Sequence, residues 1–413
     1  MRSPPAPDRG LAIALVAAEE SGDQLGAALM RALNERTGGR VRFAGVGGRE
    51  MAKEGLASLF PIDDLAIIGF AAIPRRLPMI LRRIRAAAAA IAAARPDALV
   101  IVDSPDFTHR VARRVRAAAP LVPIIDYVSP SVWAWRPGRA RAMRAYVDQV
   151  LAILPFEPQV HARLGGPPCT YVGHPLAEQI GELRPSETEA RRRDADPALV
   201  LVLPGSRPGE VRRLLGPFGA AIRLVHERSG PLELVLPTVP ALVARVREAT
   251  ADWPVQPRIA VNDADKRAAF RQARAALAAS GTVTLELALA GVPTVGAYRI
   301  GALEGALVRA LVRPQIGVQS VILANLVLGA RVVPEFLQGD CTASALADAL
   351  VPLLGDTPAR RSQLEAFTRL DAIMDLAAAP SVRAADAVLA AIAQARAARL
   401  SDPGNVLSTA RPG

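Results

Sequence analysis

A repeated pairing constrains this chain more than any other feature: a short, mostly apolar run followed by a helical pattern. Runs at 11–17 (LAIALVA), 41–46 (VRFAGV), 98–103 (ALVIVD), 122–128 (VPIIDYV) and 149–154 (QVLAIL) alternate with helix-like stretches at 24–34, 78–94 and 108–118. Strands apolar on both sides must be covered on both faces, as in the parallel sheet of an α/β domain. After residues 173–175 (GHP) comes a charged stretch, 182–198. The pairing then restarts, with strands at 199–203, 232–236, 275–279 and 292–295. Residues 342–399 read as helix, divided at Pro380. A chain of 413 residues is expected to hold two domains. The expected architecture is therefore α/β: two Rossmann-like domains, 10–178 and 199–355, with a cleft between them. A linker at 179–198 joins them, and helices at 356–400 are expected to pack back on the first.

Composition narrows the function classes. Cys169 and Cys341 lie far apart and form neither a disulfide framework nor a zinc spacing, and the 4 histidines are unpaired. No metal and no cofactor is expected, and a reducing cytoplasm fits. The net charge is +11, with Lys53 and Lys266 as the sole lysines among the cations. Such a balance favours anionic partners: phosphorylated substrates, a membrane surface or nucleic acid. No nucleic-acid recognition motif accompanies it, so nucleic acid is not expected. The apolar run at 11–18 is followed at once by Glu19, Glu20 and Asp23, which suits a buried strand rather than a signal peptide. No apolar run approaches the ~20 residues needed to span a bilayer.

Trp133 and Trp135 stand in one loop-like segment, residues 127–137 (YVSPSVWAWRP), broken by Pro130 and Pro137. The segment follows a strand, where open α/β sheets place their ligands. Two readings stand: a wall of a ligand site, or a loop pinned by two aromatic plugs.

Other strand ends carry chemistry too. Residues 18–26 (AEESGDQLG) open a helix but lack the dinucleotide GxGxxG pattern. Their acidic groups would repel a pyrophosphate and suit sugar hydroxyls. Helix capping by Ser21 or Asp23 is the plainer reading, and it leaves Glu19 unexplained. Asp103 ends a strand, where a buried carboxylate can serve as general base toward an alcohol; Asp106 reads as a helix cap. At 199–214 a strand leads through Pro204, Gly205, Ser206 and Arg207 into a helix. Arg207 suits bidentate phosphate contact, or a turn in which it caps a neighbour. At 279–286 (ASGTVTLE), Ser280, Gly281 and Thr282 turn into a helix whose free N–H groups attract anions. Glu286 follows on a face that can reach ribose hydroxyls. Two anion-friendly turns with a nearby acid suit a nucleoside diphosphate held without metal.

Residues 73–84 (IPRRLPMILRRI) form a basic amphipathic stretch. Ile73, Leu77, Ile80, Leu81 and Ile84 share one helical face, while Arg75, Arg76, Arg82, Arg83 and Arg85 carry the charge. With the apolar residues 65–72 before it, the stretch reads as an interfacial membrane element. The usual alternative is a core-facing helix with an arginine outer face.

Together these segments resemble one family, the lipid-A-disaccharide synthases of Gram-negative envelope synthesis. The pieces include AEESGDQLG (18–26), FAGVGGREMAKEG (43–55), VDSPDF (102–107), YVSPSVWAWRPGR (127–139), ILPFE (153–157), YVGHPL (171–176), LPGSRPGEV (203–211), ASGTVTLELALAGVPTVGAYR (279–299), ANLVLG (324–329) and PEFLQ (334–338). They cover nearly the whole chain. The resemblance implies a glycosyltransferase-B fold whose C-terminal domain holds the nucleotide. It implies inverting transfer of 2,3-diacylglucosamine from UDP-2,3-diacylglucosamine to 2,3-diacylglucosamine 1-phosphate, giving a β-1,6 disaccharide and UDP. By position Asp103 matches the catalytic aspartate. Glu19, Ser21, Arg207, Glu286, Asn325 and Gln338 match positions tied to substrate binding or activity. The resemblance also implies an anionic inner-membrane surface as partner, with the chain peripheral on its cytoplasmic face, and leaves a homodimer open. Ala18, Glu20, Ser104 and Ala324 depart from the usual pattern. A UDP-N-acetylglucosamine epimerase of the same fold and a non-catalytic nucleotide-sugar-binding module are the rival readings.

Overall fold

The computed structural model describes residues 10–65, 73–301 and 320–401, with side chains in 73–75 left aside. It contains two compact units. One runs to residue 175 and includes the chain from 376 onward; the other spans 176–375.

The first unit is built on β1 (Leu11–Ala17), β2 (Val41–Val46), β3 (Ala57–Ser58), β4 (Ala98–Val102), β5 (Ile124–Tyr127), β6 (Gln149–Ala152) and β7 (Cys169–Tyr171). Every pairing is parallel, in the order β3-β2-β1-β4-β5-β6-β7. The second holds β8 (Ala198–Leu203), β9 (Leu232–Pro237), β10 (Arg258–Ala260), β11 (Ala275–Ala279), β12 (Thr294–Tyr298) and β13 (Glu335–Leu337). These too are all parallel, in the order β10-β9-β8-β11-β12-β13. Each sheet is covered on both faces, so β4 and β8 are buried along their full length. Such burial stabilises a leucine or valine by about 1.5–3 kcal/mol, which is why the central strands read as unbroken apolar runs.

The strands without an apolar signature are β3, β7, β10 and β13. They are the four edge strands of the two sheets. Edges are short and half solvated, so no apolar run marks them. Strand β12 begins at Thr294 rather than 292, after Pro293, which has no N–H for the ladder. At Gly45 the close approach of β2 to β1 forbids a side chain: with φ 137, a Cβ would stand 1.9 Å from the Leu15 carbonyl oxygen.

The stretch expected as a linker, 179–198, folds onto the second unit as the helices Ile180–Leu183 and Glu187–Asp194. Two of its charges, Arg193 and Glu189, are clips rather than solvated spacers. The Arg193 guanidinium donates to the carbonyls of Phe270, Arg271, Ala290 and Gly291 at 2.7–3.0 Å. Arg271 donates to Glu189 at 2.8 Å, and Ser186 with Glu189 forms a capping box. The C-terminal helices, expected to pack back on the first domain, divide between the units. Pro358–Met374 belongs to the second, and Pro380–Leu400 packs on the helix Glu20–Thr37 of the first.

Candidate active site

In the first sheet the strand order reverses between β1 and β4, and open parallel sheets bind ligands beyond the carboxyl ends of strands at such a point. Glu19 follows β1 and Asp103 follows β4. The backbone at Asp103 and Ser104 is left-handed, with φ 50 and 45; this conformation is uncommon outside glycine, and Asp and Asn are among the side chains that tolerate it. It is pinned from two sides. The Asp103 N–H donates to the Tyr127 carbonyl at 3.0 Å, and the Thr108 hydroxyl donates to the Asp103 carbonyl at 2.6 Å. Burial raises the Asp103 carboxyl above its ordinary value, opposed by the Ser104 N–H and assisted by the charges of Glu19 and Asp126. Glu19 and Asp103 are therefore electrostatic neighbours.

The capping expected of Ser21 or Asp23 is not what these residues do. Glu19 occupies the N-cap of Glu20–Thr37 without a side-chain bond, and Ser21 is exposed. Asp23 is 2% exposed and accepts from the N–H groups of Gly48, Glu50 and Met51 at 2.7–3.0 Å. It caps a different helix, Arg49–Lys53, that only the fold brings near.

The tryptophans, expected to act as a pair, separate. Trp133 is half-buried in a small cluster with Val132, Ala140 and Val160, edge-on to Phe156 at 5.5 Å. Its indole N–H reaches the carboxylate of Glu157 at 3.3 Å, which also accepts the Leu154 N–H at 3.0 Å. Trp133 is the aromatic plug. Trp135 is 44% exposed, with the guanidinium groups of Arg136 and Arg139 at 4.4 and 5.7 Å from its ring centre.

Glu157 is 2% exposed, and burial pushes its carboxyl up to about 8 despite those two donors. A raised acid holds its proton more tightly in the folded state. The associated stability is complete below the unfolded value near ~4.3 and is lost as pH rises through about 8. Glu157→Gln is therefore expected to flatten the decline in stability between pH ~5 and ~9. Urea unfolding of both proteins across that range checks this; parallel slopes would remove Glu157 as the cause.

In the second sheet the order reverses between β8 and β11. Both strands end in turns that expose a helix N-terminus. After β8, Gly205 takes φ 103, and a Cβ there would lie 2.4 Å from a Glu210 carboxylate oxygen. Ser206 and Arg207 are exposed. The Arg207 guanidinium reaches Glu210 at 3.2 Å and remains 80% exposed. After β11, Gly281 is the N-cap of Thr282–Leu289 and supplies no side chain, leaving the helix start uncapped. The Ser280 hydroxyl donates to the Val321 carbonyl at 2.7 Å, tying this turn to the segment that follows. Glu286, on the same helix, accepts from Lys266 at 2.6 Å. Gln338 is exposed, with φ 50.

Asn325, expected to contact substrate, is 2% exposed and fully occupied. Its amide donates to the Ser320 hydroxyl and the Val333 carbonyl, and its oxygen accepts from the N–H groups of Val332 and Val333, at 2.9–3.2 Å. All four hydrogen-bond positions are used. Its place is to hold the 320–333 segment, which receives Ser280.

A profile of the family described as lipid-A-disaccharide synthetase matches residues 13–387. The lipid-A-disaccharide synthase of Nitrobacter hamburgensis is 61% identical over 91% of this chain and 94% of its own length. That of Rhodospirillum centenum is 47% identical over 92% and 94%. The chain belongs to the lipid-A-disaccharide synthase family. It is thus a glycosyltransferase, and its two sheets are those of the glycosyltransferase-B fold. Solved structures at low identity share that fold. They include CalG4, the calicheamicin glycosyltransferase (15% identical, TM-score 0.54, 94% of this chain and 99% of that one). A putative UDP-N-acetylglucosamine 2-epimerase from Listeria monocytogenes is 14% identical, with TM-score 0.58 over 95% and 97%. Likeness at this identity shows architecture alone, so it gives the epimerase reading no support as a function.

Lys266, the partner of Glu286, had one sequence signal: it is one of two lysines in an arginine-rich chain. Glu157 and the pair Arg136 and Arg139 lie inside family-like segments, but nothing in their spacing shows what they face.

The amphipathic stretch splits. It lies in the helix Ile73–Ala94. Ile84 is fully buried in the core beneath β1 and β4, and Ile80 and Leu81 pack partly against that core. Arg83 lies 4.7 Å over the Phe60 ring and pairs with Asp64. For these residues the helix is core-facing with an arginine outer face. Leu77 is 43% exposed. Residues 66–72 lie outside the described residues. Among the described residues, no helix is long and apolar enough to cross a membrane.

Proposed function

We propose that the protein transfers 2,3-diacylglucosamine from UDP-2,3-diacylglucosamine to 2,3-diacylglucosamine 1-phosphate, inverting the anomeric centre in one displacement. The observation that carries the base assignment is Asp103: a carboxylate at the switch point of its sheet, on a left-handed backbone, with its affinity for a proton raised. Asp103 removes the proton of the acceptor's 6-hydroxyl. That oxygen forms the new bond to the anomeric carbon, the bond from this carbon to the diphosphate oxygen breaks, and UDP leaves with the electron pair. Glu19 keeps Asp103 basic and, with Ser21, meets sugar hydroxyls. In the second unit, Arg207, Ser206 and the helix start at Gly281 and Thr282 receive the diphosphate and Glu286 the ribose, while exposed Gln338 contributes to substrate binding. Developing negative charge on UDP is the charge such donors stabilise. Docking on an anionic membrane surface from the cytoplasmic side is supported by exposed Leu77 beside exposed Arg76, Arg82 and Arg85.

The direct test is separation of products from the UDP-diacylglucosamine donor with and without the monosaccharide phosphate acceptor. UDP and a disaccharide phosphate are expected only when both are present. UDP release from donor alone would sink the transferase reading, and an epimeric UDP-sugar formed without UDP release would revive the epimerase one.

A further inference from the structure

The exposed platform after β5 has no part in the chemistry so far. Trp135 presents its ring to solvent beneath two guanidinium groups, and Arg136 is held with φ 54, a conformation that arginine rarely adopts. The side chain of Arg139 is only 18% exposed and contacts Asp106 at 3.5 Å. Asp106 itself is 81% exposed, so its carboxylate keeps most of its hydration, is held weakly at 3.5 Å and yields readily to a better anion. The platform thus offers two stacked, pre-oriented cations against one weakly held carboxylate. Arginine stacked on an aromatic face loses little freedom on gripping a planar or tetrahedral oxyanion.

Position gives the ligand. Strand β5 lies beside β4, with Val102 opposite Tyr127. Asp106, in the first turn of the helix Pro105–Ala118, lies three residues past Asp103, so their Cα atoms stand no more than ~10 Å apart. That is within reach of one phosphorylated pyranose, whose 6-hydroxyl and 1-substituent lie at opposite ends. We propose that Trp135, Arg136 and Arg139 form the subsite for the phosphomonoester of the acceptor sugar, fixing its ring so that the far hydroxyl meets Asp103. The inference rests on the transferase reading above and adds how the acceptor is told from its unphosphorylated counterpart. A phosphate dianion displaces Asp106 from Arg139, and Arg136 closes the second side.

The test compares the phosphorylated acceptor with the same lipid bearing a free 1-hydroxyl, in the wild type and in Arg136→Ala/Arg139→Ala. Two charge-assisted contacts predict a wild-type preference of ~10²-fold or more for the phosphate. The double variant is expected to lose most of that preference through a higher KM for the phosphorylated acceptor, while turnover of the 1-hydroxyl acceptor falls far less. Far-UV circular dichroism and thermal unfolding report that the mutated unit is folded, and UDP affinity, controlled by the other unit, should not move. Arg136→Lys should recover part of the preference. An unchanged preference, or equal loss on both acceptors, overturns the subsite. Loss of binding to phosphatidylglycerol vesicles with the preference intact also overturns it, in favour of a lipid headgroup. If the wild type makes no product with either acceptor, the transferase reading fails. Titration of glucosamine 1-phosphate against glucosamine then judges the platform alone: selective binding lost in the variant supports it, and equal binding overturns it.

Discussion

Asp103→Asn is expected to lower kcat by ~10²–10⁴, the usual contribution of a positioned general base, while leaving UDP affinity essentially unchanged. Asparagine is the right replacement because residue 103 sits at φ 50. Asparagine tolerates that conformation, whereas alanine would add ~1–2 kcal/mol of backbone strain and confuse a chemical loss with a structural one. The pH profile supplies an independent readout. Burial and the nearby charges of Glu19 and Asp126 raise the carboxyl above its ordinary range. Activity should therefore fall as pH drops through a value above ~3.9, and that acid limb should vanish in Asp103→Asn. Removing the charge in Glu19→Gln should move the limb downward, because a neighbouring anion then no longer opposes ionisation. If Asp103→Asn turned over at near wild-type rate, the base would have to be sought elsewhere.

Arg207→Ala should lower kcat/KM for the UDP-sugar by ~10²–10³, the cost of one donor aimed at developing charge, with almost no loss of stability. Its guanidinium is 80% exposed and held only by Glu210 at 3.2 Å among the contacts described. A surface pair of this kind is worth about 0–1 kcal/mol, so removing it barely affects folding and a diphosphate can recruit the arginine cheaply. Arg207→Lys should recover part of the loss, since it keeps the charge and gives up the bidentate fork. Calorimetric UDP binding, thermal unfolding and steady-state kinetics together separate the outcomes. Unimpaired kcat/KM would move the diphosphate contact off this turn, whereas a large fall in unfolding temperature would make Arg207 structural.

Some of the site was legible because its chemistry is local. Glu19, Asp103, Arg207 and Gly281 all stand where an apolar strand ends and a helix begins, and that boundary is written in a few consecutive residues. In a parallel sheet such boundaries lie along one edge, so reading the strands is nearly the same as reading the edge. The edge strands β3, β7, β10 and β13 escaped because two or three half-solvated residues carry no apolar run. The charged stretch at 179–198 looked like a linker because charge normally seeks solvent; Arg193 instead spends its donors on four backbone carbonyls distant in sequence.

The two parallel sheets, the order of their central strands along the chain, and the turns that carry acid and cation are written in the chain itself. The physical reason is that each depends on local hydrophobic pattern and chain-reversing residues. Tertiary structure alone decided what the matching residues face. Asp23 caps a helix that starts 26 residues later. Asn325 is exhausted by its own segment. Trp133 plugs a core, while Trp135, two residues on, meets solvent under two arginines. Hydrogen bonds and burial of that kind join residues far apart in sequence, and no spacing along the chain encodes them.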